Sequence, residues 1–143
     1  EPDPTTSDAI SVAAAQVANT LNASLIATYT KSGSTARRAA RERPIVPILG
    51  LTAEESTARQ LCIVWGVHSV HTSEVESFPD MVEKASRIAI QENMARRNDR
   101  IVITAGVPFG QRGATNVLRI VRAGIAQEWK WRTGIEHDGL HSS

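Results

Sequence analysis

The stretch LIATYTKSGSTARRAARERP, Leu25–Pro44, decides the reading of this chain. Its first residues, LIATY, are apolar and too few for a helix, which suits a buried strand. Six small or polar residues follow, TKSGST, Thr30–Thr35. The segment after them places Ala36, Ala39 and Ala40 on one helical face and arginines on the other. Pro44 stops that helix, because the residue before a proline is pushed out of helical geometry. A strand that passes through a short turn directly into a helix is the building unit of an α/β sheet.

The same alternation continues in both directions. Upstream, TTSDAISVAAAQVANTL reads as a helix capped by Thr6 or Ser7, with Asp8 near its positive end and Ile10, Ala14, Val17 and Leu21 as its apolar face. Downstream, IVPILGL (Ile45–Leu51) reads as a second buried strand. Thr52 then caps a helix whose inner face carries Ala58, Leu61, Cys62 and Trp65, with Gly66 as its stop. VHSVHT reads as a weaker third strand. The longest helix follows, with Phe78, Val82, Ala85 and Ala89 inward and Arg96 and Arg97 at its negative end. RIVITAG (Arg100–Gly106) is the fourth strand and VLRIVRA the fifth. The expected fold is therefore a three-layer αβα domain with a five-stranded, mostly parallel sheet in the order 3-2-1-4-5. Only ten loop residues and no helix separate strands four and five, so the last strand is expected to be antiparallel and near an edge. Residues 1–123 form this domain, and 124–143, which carry Trp129 and Trp131, read as a C-terminal extension or tail.

Composition narrows the function. The chain has 143 residues, a suitable length for one core, and a formal net charge of +1, which gives no reason to expect nucleic acid or an acidic membrane as partner. No apolar run approaches the roughly 18 residues of a membrane span. The expectation is a soluble, cytoplasmic protein. Cys62 stands alone, so no disulfide forms within the chain, and its helical apolar setting predicts a buried, reduced thiol. Of 16 basic residues only Lys31, Lys84 and Lys130 are lysines. One of the three lies inside the hydroxyl-rich turn.

That turn sits at the carboxyl end of a strand, where ligands of open α/β sheets gather, and at a helix N-terminus, where free N–H groups attract anions. Thr30, Ser32, Ser34 and Thr35 offer hydroxyls, Lys31 a charge, and Gly33 close backbone approach. These groups suit one phosphate. They do not form a nucleotide P-loop, since G-x-x-x-x-G-K-[ST] is missing, and they equally fit a plain capping turn. A second glycine-containing loop, GVPFGQRGATN, leaves strand four beside this turn in the expected strand order, and Arg112 is placed to reach an anion there. Catalytic constellations are thin. His68 and His71 fall on opposite faces of a strand, which is wrong for a shared metal. Asp80 and Glu83 read as a solvated helix face, and no residue qualifies as a catalytic group.

Over about residues 5–122 the chain resembles the C-terminal domain of pyruvate kinase, of bacterial type. The quoted marks are TKSGSTARRAARERPIVPILGLT at 30–52, TARQLCIVWGV at 57–67 and IVITAGVPFGQRGATNVLRI at 101–120. The resemblance implies a regulatory and subunit-assembly domain of a glycolytic enzyme that converts phosphoenolpyruvate and ADP to pyruvate and ATP. The (β/α)8 barrel that holds the catalytic residues, and the Mg²⁺ and K⁺, needs about 250 residues, so these 143 do not contain it. The chain alone is expected to be inactive and to hold no cofactor. By resemblance, Thr30, Lys31, Ser32, Gly33, Ser34 and Thr35 bind the phosphate of an allosteric effector. Gly106, Val107, Pro108, Gly110, Arg112, Gly113 and Thr115 belong to the loop that closes over it. Relatives regulated by fructose 1,6-bisphosphate hold its second phosphate with a tryptophan and an arginine. The matching stretch here, HTSEVESFPDMVEK, has neither. A sugar monophosphate or AMP is expected in preference to the bisphosphate. The resemblance also implies a homo-oligomer joined through a helix and the last strand, with Leu118 and Ile120 on the edge to be covered. The alternatives are a stand-alone phosphate-ligand-binding or protein-interaction module of the same fold, and an unrelated small α/β enzyme. The second of these would need a nucleophilic or acidic residue at a strand end.

Overall fold

A computed structural model describes residues 6–106 and 116–124. Among them the elements run α1 (Thr6–Leu21), β1 (Leu25–Tyr29), α2 (Ser34–Arg41), β2 (Ile48–Thr52), α3 (Glu55–Leu61), β3 (Val67–His71), α4 (Phe78–Gln91), β4 (Arg100–Ala105) and β5 (Val117–Arg122). The sheet order is β3-β2-β1-β4-β5. β1 pairs in parallel with β2 and β4, β2 pairs in parallel with β3, and β5 runs antiparallel to β4. The fold class and strand order match the sequence-based expectation, including the turned last strand.

Alternation along the strands sorts two cores. Leu25, Ala27, Leu49, Leu51, Ile101 and Ile103 point to one side, where Met81, Val82, Ala85, Ile88 and Ala89 of α4 meet them. Ile26, Ile48 and Val102 point to the other, under Ala14 and Ala18 of α1 and Ala39 of α2. The central strands are buried on both faces, which explains their unbroken apolar runs. Gly50 supports the second layer. A Cβ there would meet Val67 at 3.2 Å, Leu61 at 3.5 Å and Ala36 at 3.7 Å, so α2 and α3 sit close on the sheet because residue 50 has no side chain.

Several boundaries differ from the sequence reading. The second strand begins at Ile48, and Ile45 is 81% exposed. Pro44 and Pro47 flank that segment, and proline offers no N–H to a ladder. The buried stripe of α1 is Ser7, Ser11, Ala14, Ala15 and Ala18, rotated from the expected Ile10, Ala14, Val17 and Leu21. Small residues let this helix lie close to the sheet. Thr6 and Ser7, expected as its cap, lie inside it. α3 ends at Leu61, so Cys62 and Trp65 are exposed instead of lining its inner face, and the expectation of a buried thiol is corrected. Thr52 closes β2; its Oγ1 accepts the Glu54 N–H at 3.1 Å, and Glu54 is the N-cap. α4 starts at Ser77, whose Oγ accepts the Asp80 N–H at 3.2 Å, with Pro79 in the first turn. It stops at Gln91, and Asn93 takes a left-handed φ of 59°. Arg96 and Arg97 therefore lie beyond its end.

Asp99 joins the connections that enter β1 and β4. Its Oδ2 accepts the Arg96 N–H and the Ser24 hydroxyl, each at 2.8 Å. These bonds, the Arg96 backbone first and Ser24 next, hold its carboxyl below the ordinary value of 3.8. A carboxyl lowered by folding contributes stability above its unfolded value and loses it as pH falls through the folded one. Asp99→Asn should lower the urea midpoint at neutral pH, and its difference from the parent chain should shrink as pH drops below 3.8.

Candidate functional site

β1 and β4 are neighbours, with Thr28 opposite Thr104, so Thr30–Thr35 and Gly106 leave the sheet side by side at its carboxyl end. Chain direction reverses around β1: α2 leads to β2 on one side, and α4 returns the chain to β4 on the other. This is the switch point where α/β sheets open a crevice.

Three hydrogen bonds fix the turn. The Thr30 N–H donates to the Leu51 carbonyl at 2.9 Å, which continues the ladder one step past β1. The Gly33 N–H donates back to Thr30 Oγ1 at 2.7 Å. The Thr57 hydroxyl of α3 donates to the Lys31 carbonyl at 2.8 Å. Gly33 is the N-cap of α2 and has a left-handed φ of 98°. Most side chains avoid that region, so glycine is required by the backbone here. The Arg37 guanidinium also lies against it: a Cβ at residue 33 would meet Arg37 Nη1 at 3.0 Å.

The hydroxyls of the turn are not equivalent. Thr30 and Thr35 are buried, and Thr30 is already the acceptor for Gly33. Ser32 and Ser34 are half-buried at the surface. Ser32 Oγ accepts the Ser34 N–H and donates to Ser34 Oγ, both at 3.4 Å, the long limit of a hydrogen bond. These contacts are readily exchanged for a better acceptor. Gly33, the N-cap residue, has no side chain to offer α2, and the Ser32 contact to the Ser34 N–H is long. Its first N–H groups converge on the turn with the helix dipole behind them. Lys31 and Arg37 add two positive charges, and among the described residues neither is in an ion pair. Arg38, next to them, is paired with Asp8 of α1 at 3.3 Å. Arg37 is the candidate residue that sequence reading missed. It stands three positions after Ser34, the helical interval that returns a side chain to the same face.

The expected loop residues Val107, Pro108, Gly110, Arg112, Gly113 and Thr115 lie outside the described residues, as do Trp129 and Trp131. His68 and His71 have different partners. His68 Nε2 contacts Glu92 Oε1 at 2.7 Å, and His71 Nε2 contacts the Ala53 carbonyl at 3.1 Å. No cluster of three His, Cys, Asp or Glu capable of holding a metal occurs among the described residues. No described helix is long and apolar enough to cross a membrane. Tyr29, beside the turn, faces the α4 layer. Burial, foremost, raises its phenol above the ordinary 10.0.

Replacing Gly33 by alanine keeps every hydroxyl but forces a Cβ into left-handed backbone against Arg37. Gly33→Ala should destabilise the chain by about 1–2 kcal/mol, read from the shift of the urea midpoint.

Residues 8–121 match the family model described as pyruvate kinase, alpha/beta domain. The chain is 46% identical over 120 residues to a pyruvate kinase of Methylorubrum extorquens, covering 84% of this chain and 25% of that protein. It is 45% identical over 116 residues to one from Agrobacterium vitis, covering 81% and 24%. The solved structure of Cryptosporidium parvum pyruvate kinase in complex with ADP superimposes with a TM-score of 0.76 at 30% identity, covering 86% of this chain and 25% of that one. The chain thus spans about a quarter of the length of the relatives it matches.

Proposed function

The chain belongs to the pyruvate kinase family, as its C-terminal α/β domain, and from that premise we propose that it regulates and assembles a pyruvate kinase. In this reading the turn Thr30–Thr35 holds the phosphate of an allosteric effector. The conversion of phosphoenolpyruvate and ADP to pyruvate and ATP, with its Mg²⁺ and K⁺, belongs to the part of a longer polypeptide that carries the barrel.

The observation that carries the reading is the helix start at Gly33. A turn with four hydroxyls places its glycine, and none of its hydroxyls, at the cap of α2. Of the first N–H groups of α2, that of Ser34 meets Ser32 Oγ only at a long 3.4 Å. Here Ser32 and Ser34 are half-buried on long, weak contacts, in a turn that carries Lys31 and lies against the guanidinium of Arg37. A phosphate in that position would accept from both serines and from the first N–H groups of α2, and would meet two charges. Thr30 and Thr35 shape the turn from inside. The loop after Gly106, with Val107, Pro108, Gly110, Arg112, Gly113 and Thr115, is the proposed cover. One cradle suits one phosphate, so a sugar monophosphate or AMP is the proposed effector class.

Titration with phosphate, AMP, ribose 5-phosphate, glucose 6-phosphate and fructose 1,6-bisphosphate, followed by thermal unfolding, tests this. A ligand at about 100 times its dissociation constant adds roughly 2.7 kcal/mol to native stability. The shift should be largest for a monophosphate and vanish in the Lys31→Ala, Ser32→Ala double variant. If none of the five anions shifts the transition, the turn is a helix start and nothing more.

Subunit assembly is proposed through β5. Its outer edge is unpaired among the described residues, and Ile120 is 44% exposed on it. A sheet edge of this kind invites cover by a second copy. Sedimentation of the isolated chain should show a concentration-dependent dimer that Ile120→Lys weakens. A monomer at all concentrations would remove β5 from the assembly.

A further inference from the structure

β5 closes one side of the sheet, and the outer edge of Val117–Arg122 is unpaired among the described residues. An open strand edge is a row of unmet N–H and C=O groups. The described chain ends beside the last of them, and that end is firmly held. The Ala123 N–H donates to the Asp99 carbonyl at 2.8 Å, and the Ala123 carbonyl accepts the Asn98 N–H at 2.7 Å. The Gly124 N–H donates to Ser86 Oγ of α4 at 2.6 Å. Gly124 then turns with a left-handed φ of 81°, and a Cβ there would meet Arg97 Cγ at 3.0 Å. A glycine in this conformation is a common means of folding a chain back along the strand it has just left.

The residues that follow are patterned for that edge. In 125–143 the run Glu128, Trp129, Lys130, Trp131, Arg132 alternates charged and aromatic side chains, which is the period of a strand with one apolar face. The family match ends at residue 121, so this run lies beyond it. We infer that residues 125–143 dock on the edge of β5, with Glu128–Arg132 as an added antiparallel strand joined through 123–127. Cross-strand pairs select this register, because directly opposite residues of antiparallel strands share a face. Glu128 falls opposite Arg122, Trp129 opposite Val121 and Trp131 opposite Arg119. Arg119 Cζ already stands 5.2 Å from the centre of the Phe78 ring, and Trp131 brings a second aromatic face to the same guanidinium. A slip of one residue in either direction turns both tryptophans to the other face and sets Lys130 or Arg132 against Arg119, like charge on like. The docking itself needs only the open edge. Its consequence rests on the assembly proposed above: a second copy that seeks the same edge must displace the added strand, so the extension limits dimer formation through β5.

Amide hydrogen exchange of Val117–Arg122, followed by peptide mass spectrometry, tests the docking in the full chain and in a chain ended at Gly124, both dilute enough to sediment as monomers. The β5 amides should exchange at least about tenfold more slowly in the full chain, and a Trp129→Ser, Trp131→Ser chain should exchange like the shortened one. Equal exchange in the full and shortened chains overturns the inference. So does protection that appears only as concentration rises, which assigns the edge to a second copy. Where the shortened chain does not fold, the double tryptophan variant takes its place in the comparison. Sedimentation separates this inference from the assembly reading. An edge open about a tenth of the time weakens its own dimer, so shortening should tighten dimerisation at least about tenfold. A shortened chain that dimerises no better, with β5 still protected in the full one, upholds the docked strand and removes only β5 from the assembly.

Discussion

The structure depends on β1 being hydrogen-bonded in parallel on both sides. Parallel neighbours cannot be joined by tight turns, so the chain passes from β1 to β2 through α2 and from β3 to β4 through α4. Crossovers of fixed hand then put α1, α2 and α3 on one face and α4 on the other. Because β1 has a neighbour reached by a different route on each side, the segments leaving β1 and β4 diverge at its carboxyl end. The opening between them is where the turn at 30–35 lies. The site is thus a consequence of strand order before it is a matter of side chains.

Within that opening the chain uses two kinds of polar group. Thr30, Thr57 and the Leu51 carbonyl are spent on holding the turn, at 2.7–2.9 Å. Ser32 and Ser34 stay outside at 3.4 Å from each other. A rigid inner set lets the outer set keep its position without short bonds of its own. Arg37, folded over Gly33, places the second charge on the helix itself and not on the turn.

Much of this was readable from residue order. The apolar runs at 25–29, 48–52 and 101–105, each ended by small polar residues or glycine, disclose buried strands. Ser77 followed by Pro79 marks the start of α4. The turn stands out because four hydroxyls, a lysine and a glycine share six positions. What escaped has physical causes. Periodicity cannot tell an apolar residue that faces the core from one that faces outward, so Cys62 and Trp65 extended the pattern of α3 beyond its end at Leu61. Ile45 seemed part of a strand because isoleucine favours strands, yet two prolines deny that segment its ladder. Serine and threonine look alike in sequence, and only packing separates buried Thr30 from half-buried Ser32. Arg37 was one arginine among 13 until the left-handed backbone of Gly33 put its guanidinium beside the turn.

The bond from Thr57 to the Lys31 carbonyl has a mechanical meaning. α3 has seven residues, about 10 Å of helix, too short to bend. Its upper part grips the turn, its last residue Leu61 is wedged over Gly50, and its end runs directly into Cys62, Ile63 and Trp65. A body of that length shifts as one piece. The height of the Lys31 carbonyl and the seat of Leu61 over Gly50 are two readings of one rigid strut, seen from its opposite tips.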